Sequence, residues 1–206
     1  MRVPQPASSA TDLGTVIHAV TEELAKEKAK GEKLTKEKGF AKLKEKWIFR
    51  SYQNKTDENF ALGRAEKMVD AYLQWENQSK NELVDTEIPF EVKIGEITFT
   101  GRIDRLEKNS DGKYEIVDFK YGKSFLSKNK AKTDPQLNIY AKVVEKIKGE
   151  LPVKASLFYV EQDKMVEYDI TKESVNIALE PIEEMTREIL KENFEPTPSS
   201  SACMFC

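Results

Sequence analysis

Near residue 83 the apolar spacing of this chain switches from a helical repeat to strict alternation, which limits it to folds in which helices precede a sheet. Ile88, Phe90, Val92 and Ile94 alternate with polar neighbours, Gly95-Glu96 makes a turn, and Ile97, Phe99, Gly101 and Ile103 continue the pattern. That is a hairpin with one buried face. Asn109-Ser110-Asp111-Gly112 is a second turn, and Tyr114 to Lys120 reads as a third strand. Upstream, Leu13, Ile17, Val20 and Leu24 recur at turn spacing behind Thr11 as an N-cap. The mixed Lys and Glu stretch from Lys26 to Lys46 reads as a solvated helical hairpin with Gly31 or Gly39 near its turn. Phe60, Met68, Tyr72 and Trp75 then form the stripe of a helix over Asp57 to Lys80. Downstream, Asp134 and Pro135 cap a helix over Gln136 to Lys148 that carries Ile139, Tyr140, Val143 and Ile147. Ala155 to Glu161 and Met165 to Ile170 are two further strands, and Thr171 to Glu192 is a closing helix, bent or restarted at Pro181. This order predicts an α/β fold, a mixed sheet with helices on both faces and a helical annex at the N-terminal side.

A chain of 206 residues with 39% hydrophobic side chains supports one domain. The expected division is a flexible arm over 1–10, a single domain over 11–195 (helical over 11–82, αβ core over 83–195) and a tail over 196–206. The net charge of -3 gives no basic field over the whole molecule, so any nucleic-acid surface must be local. No stretch has the apolar length of a membrane span, and Met1 to Ser9 lack the apolar core of a signal peptide, so a cytoplasmic protein is expected with no membrane partner. Cys203 and Cys206 are too close and too terminal to staple a fold. There is no Gly-X-X-X-X-Gly-Lys segment to cradle phosphates, so no nucleotide cofactor is expected.

The chemistry concentrates in two strands. Asp118 and Lys120, two apart, project from one face while Phe119 projects from the other, and Asp104 lies on the preceding strand. Two carboxylates and an ammonium can hold a divalent cation beside a phosphodiester and stabilise its hydrolysis. Magnesium takes oxygen ligands, so Asp104, Asp118 and a backbone carbonyl such as that of Phe119, with one imidazole, would suffice. Each triplet alone equally fits a surface salt bridge. His18, the only histidine, borders an apolar stripe and fits a core residue as well as a ligand. Gln136 and Tyr140 lie four apart on one helical face, a spacing that serves joint action or packing. Glu87, at the start of the first strand, can join such a site or simply be solvated. Between Phe119 and Thr133 stand five lysines (Lys120, Lys123, Lys128, Lys130 and Lys132) and no acid, with Tyr121 and Phe125 available for stacking. This is either a solvated loop or a phosphate-tracking surface.

Four segments, Leu-Gly-Thr-Val-Ile-His at 13–18, Gly-Arg-Ile-Asp-Arg at 101–105, Ile-Val-Asp-Phe-Lys at 116–120 and Gln-Leu-Asn-Ile-Tyr at 136–140, resemble in this order the RecB-like nucleases of the PD-(D/E)XK superfamily. The resemblance implies a restriction-endonuclease-like mixed central β-sheet flanked by helices, with Mg²⁺ or Mn²⁺ as cofactor. It implies metal ligation by His18, Asp104 and Asp118, with Lys120 as the catalytic lysine and Gln136 and Tyr140 as the Gln-X-X-X-Tyr motif. It further implies a DNA substrate, single-stranded, and an exonuclease of repair or recombination that stands alone or serves a helicase domain or subunit. Some of these nucleases hold an iron–sulfur cluster on four cysteines; Cys203 and Cys206 match only part of that set, so no cluster is expected within this chain. Two other classes fit the same residues: a nuclease-fold module that holds DNA or protein without cutting, and a structural domain whose motif residues are salt bridges.

Overall fold

The computed structural model describes residues 9–48, 52–122 and 125–191. Residues 1–8 of the expected arm, Lys123 of the lysine run and the cysteines Cys203 and Cys206 lie outside the described residues. Three helices come first: α1 over Ser9–Ala29, α2 over Lys36–Lys46 and α3 over Lys55–Gln78. Then follow β1 over Glu82–Ile94, β2 over Ile97–Lys108, β3 over Tyr114–Lys120, α4 over Lys128–Lys132, α5 over Pro135–Lys148, β4 over Lys154–Tyr159, β5 over Lys164–Asp169 and α6 over Lys172–Leu190.

The strands form one sheet in the order β1-β2-β3-β4-β5. Only β3 and β4 are parallel, because the connection between them runs through α4 and α5, whereas the other neighbours are antiparallel. One face packs Ile103, Leu106, Ile116 and Leu157 against α5 and α6; the other packs Val117, Phe119 and Phe158 against the N-terminal helices. The expected two-sided α/β sheet is thus present. Local chemistry sets the joints: Gly95 at φ 59 turns the first hairpin, Gly112 at φ 71 the second, and Asp134 caps α5 by accepting from the Leu137 N–H.

The β1–β2 hairpin outruns the sheet. Pairing of β2 with β3 stops at Arg105↔Val117, while pairing with β1 continues to Ile94↔Ile97. The far half of the hairpin leaves β3 and places Val92 and Ile94 in the same cluster as Val143 and Leu179. The departure occurs at Glu87, whose φ of 51 is left-handed, costly for a residue with a Cβ.

Several sequence readings need correction. The first helix begins at Ser9, ahead of the expected N-cap Thr11. Phe60 is 71% exposed: the buried stripe of α3 runs through Ala61, Ala65, Met68, Val69 and Tyr72, one residue out of phase with it. Ile147 is 48% exposed, near the end of α5 beyond the last buried position, Val144. The Lys26 to Lys46 stretch does more than face solvent. Gly31 makes its turn at φ 84, Leu34 and Leu43 are buried, and Lys42 bridges Glu23 at 3.0 Å and Glu27 at 2.7 Å between α1 and α2. Gly39 lies inside α2, where a Cβ would meet Val69 and Leu73 at 2.8 Å, so it permits close helix packing. Pro181 lies within α6, which runs from Lys172 to Leu190 without the restart.

Candidate active site

The site forms where the hairpin leaves the sheet. The pairs Thr86↔Arg105 and Ile88↔Ile103 flank Glu87 and Asp104, which face each other across a gap in the ladder. Both carboxylates reach His18 on α1: Nδ1 is 3.3 Å from Glu87 Oε1 and Nε2 is 3.9 Å from Asp104 Oδ2. One ligand atom from each of His18, Glu87 and Asp104 lies within 4.8 Å of the others. A cavity of about 10 Å³ sits among these residues and Phe119, room for about one water-sized sphere. The Tyr121 ring packs edge-on against His18 at 4.8 Å.

Asp104 also ties the two acidic strands together, because its Oδ2 accepts the Phe119 N–H at 2.9 Å. Carried one step past Arg105↔Val117, the same register sets Asp104 opposite Asp118 on one face. Asp118 is 1% exposed, and its Oδ2 has no hydrogen bond of good geometry although Lys120 Nζ lies 2.6 Å away. Lys120 in turn donates to Gln136 Oε1 at 2.7 Å, and Gln136 Nε2 donates to the Tyr140 hydroxyl at 2.7 Å. A chain of contacts therefore runs from His18 to Asp104, through the Phe119 N–H to the β3 backbone that carries Asp118 and Lys120, and on to α5. Asp118 stands beside the His18, Glu87 and Asp104 group and is not part of it.

The electrostatics are unfavourable without a cation. Burial raises Asp104 to about 6, opposed by the Phe119 N–H and reinforced by the Glu87 charge. Burial and the Asp104 charge raise Asp118 to about 7, against the pull of Lys120. Burial likewise holds the Tyr140 phenol well above its ordinary value, so it stays a neutral hydroxyl. Desolvated carboxylates, one of them paired only with the Lys120 ammonium, and a neighbouring imidazole make a donor set that suits a hard divalent cation. Behind them, Arg105 is 1% exposed and meets Glu76 at 2.7 Å and Glu107 at 2.5 Å, locking β2 onto α3 beside Asp104.

A family model described as the PD-(D/E)XK nuclease superfamily matches residues 1–206. The chain belongs to the PD-(D/E)XK nuclease superfamily. Asp118-Phe119-Lys120 spells the (D/E)-X-K of that name, whereas Ile103 precedes Asp104 where the name has proline. Membership implies a metal-dependent nuclease with a DNA substrate. No curated protein matches the chain at a significant level. Among the described residues no helix is long and apolar enough to cross a membrane.

Glu87 carries more of the site than its sequence context indicates. The expected strand start is instead well inside β1, where Glu87 combines a left-handed backbone with a carboxylate that reaches His18. A Glu in an alternating run carries no signal of that turn. Lys128, Lys130 and Lys132 are exposed on the short helix α4, in place of the expected loop, and none forms an ion pair among the described residues. Phe125 is 51% exposed with Lys164 Nζ 3.6 Å from its ring centroid.

Proposed function

We propose that this chain is an Mg²⁺- or Mn²⁺-dependent DNA exonuclease of RecB-like type, acting on single strands in repair or recombination in the cytoplasm. The observation that carries the reading is the meeting of the His18, Glu87 and Asp104 donors with the Asp118 and Lys120 pair across one hydrogen bond, Phe119 N–H to Asp104. His18, Asp104 and Asp118, with the Phe119 carbonyl, are the residues that would hold the cation, and Glu87 adds a carboxylate on the Nδ1 side of the imidazole. When bound, the cation supplies charge against the phosphate oxygens and lowers the pKa of water. Lys120 presents its ammonium at the scissile phosphate, where it offsets developing charge or hands a proton to the departing oxygen. The Gln136 carbonyl holds Lys120 in position, and Tyr140 fixes which way the Gln136 amide points.

The exonuclease, single-strand and repair parts of the reading are supported by the four-segment resemblance. Since the sequence has no phosphate-cradling Gly-X-X-X-X-Gly-Lys segment, unwinding would fall to a separate helicase domain or subunit. The test is a magnesium titration with end-labelled linear and circular single-stranded DNA. The proposal expects linear strands to shorten from an end and circles to persist. Retention of both without shortening would instead make the chain a binding module.

A further inference from the structure

Beside the catalytic chain of contacts lies an apolar groove that the proposed chemistry leaves unused. It has a volume of about 340 Å³ and runs between the far half of the β1–β2 hairpin and the start of α5, with Phe90, Phe99 and Gly101 on one wall and Pro135, Gln136 and Tyr140 on the other. Gln136 and Tyr140 belong to both the groove and the site, so anything seated here is continuous with a strand held at Lys120. No charged side chain lines it. Phe90 lies over Gly101, where a Cβ would come 2.8 Å from the ring, and meets Tyr140 edge-on at 5.7 Å. Phe99 is half-buried against the core, pairs with no other ring among the described residues, and lines the groove with the part of its ring that the core leaves open.

We infer that this groove receives one unstacked nucleobase of the substrate strand, next to the phosphate held at Lys120, with Phe99 as the stacking surface and the Gln136 amide at the rim. The inference rests on the nuclease reading and deepens it by giving a reason for a single-stranded substrate: a base can enter only when it has left its partner. Three observations choose this occupant. The lining is aromatic and uncharged, which suits a base and not a phosphate. Eight residues line the groove, against the roughly 20–30 that a protein partner covers on one side. The helix leading to Pro135 exposes Lys128, Lys130 and Lys132 without acidic partners among the described residues, so the approach favours a polyanion.

The test walks a single abasic residue through an end-labelled single-stranded oligonucleotide and reads kcat/KM for cleavage in Mg²⁺, together with competition Kd in Ca²⁺. In the wild type, one position should weaken both by roughly tenfold, the loss of one stacked base. Phe99→Leu keeps the apolar volume but loses the ring face: it should handle the intact strand roughly tenfold worse and show a flat scan. Phe99→Trp should restore the dip. A flat wild-type scan, or a dip that persists in Phe99→Leu, overturns the groove while leaving the nuclease reading standing. Binding and cleavage absent with every strand and metal overturns both. A wild-type dimer that Phe99→Glu dissolves, with no abasic effect, assigns the groove to a second copy and also overturns the inference.

Discussion

The backbone N–H of Phe119 donates to Oδ2 of Asp104 at 2.9 Å, so the carboxylate of one strand completes the hydrogen bonding of the next where regular pairing has ended. Charge and splice are separable here. Asn at 104 can still accept from Phe119 through its carbonyl, whereas Ala leaves that N–H without this acceptor. Both Asp104→Asn and Asp104→Ala should lose cleavage by at least about a thousandfold. Asp104→Ala should in addition be less stable than Asp104→Asn by about 1 kcal/mol in denaturant titration. Equal stability of the two variants would remove the splice.

The raised carboxyls set a pH dependence with a definite sign. Asp104, at about 6, and Asp118, at about 7, hold protons more tightly in the folded chain than at the ordinary 3.8, so folding takes up protons between those values. Their contribution to stability is present at low pH and lost as pH rises through the folded values. His18, Glu87, Lys120, Asp134, Tyr121 and Tyr140 also bear on the pair. In EDTA, Tm should therefore fall as pH rises from about 5 to 7.5, and Asp118→Asn should flatten the slope and stabilise the chain at pH 7.5 by on the order of 1–2 kcal/mol. Mg²⁺ or Mn²⁺ should raise the wild-type Tm at pH 7.5 and leave Asp118→Asn nearly unmoved. A wild-type Tm that rises with pH in EDTA contradicts this.

Lys120 and Gln136 should separate by degree. Lys120→Ala removes the ammonium and should lower kcat by about a thousandfold or more. Gln136→Ala leaves the ammonium but frees it from its 2.7 Å anchor, and Tyr140→Phe frees only the amide that supplies the anchor. Losses of roughly 10- to 100-fold and less than tenfold, respectively, are expected. Single-turnover kinetics would show the order; Tyr140→Phe as damaging as Lys120→Ala would break it.

Glu87 sets stability against metal affinity. Gly adopts φ 51 without strain, so Glu87→Gly should unfold at a Tm at or above that of the wild type, with relief of roughly 1 kcal/mol, while binding Mn²⁺ more weakly in calorimetry. Unchanged Mn²⁺ affinity would place Glu87 outside the cation site.

What the sequence revealed and what it hid divide along sequence separation. The hairpin at Gly95, the Asn109 to Gly112 turn and the Asp134 cap are local devices, visible as alternation and turn chemistry, and the two-sided sheet follows from their order. Asp118 and Lys120 share a face for the same reason. Arg105 and Glu107 share a strand face two residues apart, but that pair alone also fits the surface; what buries it is Glu76 on α3, 29 residues away. Glu87 was hidden by a backbone turn that no glycine announces, and Phe60 by a stripe that drifts around a long helix.

The most direct measurement is digestion of end-labelled single-stranded DNA by wild type and Lys120→Ala in parallel, in Mg²⁺, Mn²⁺ and EDTA, with circular dichroism confirming that both are folded. Wild type should cut in Mg²⁺ or Mn²⁺ and stop in EDTA, and folded Lys120→Ala should not cut. Cleavage that survives EDTA, or persists at wild-type rate without the Lys120 ammonium, would contradict this.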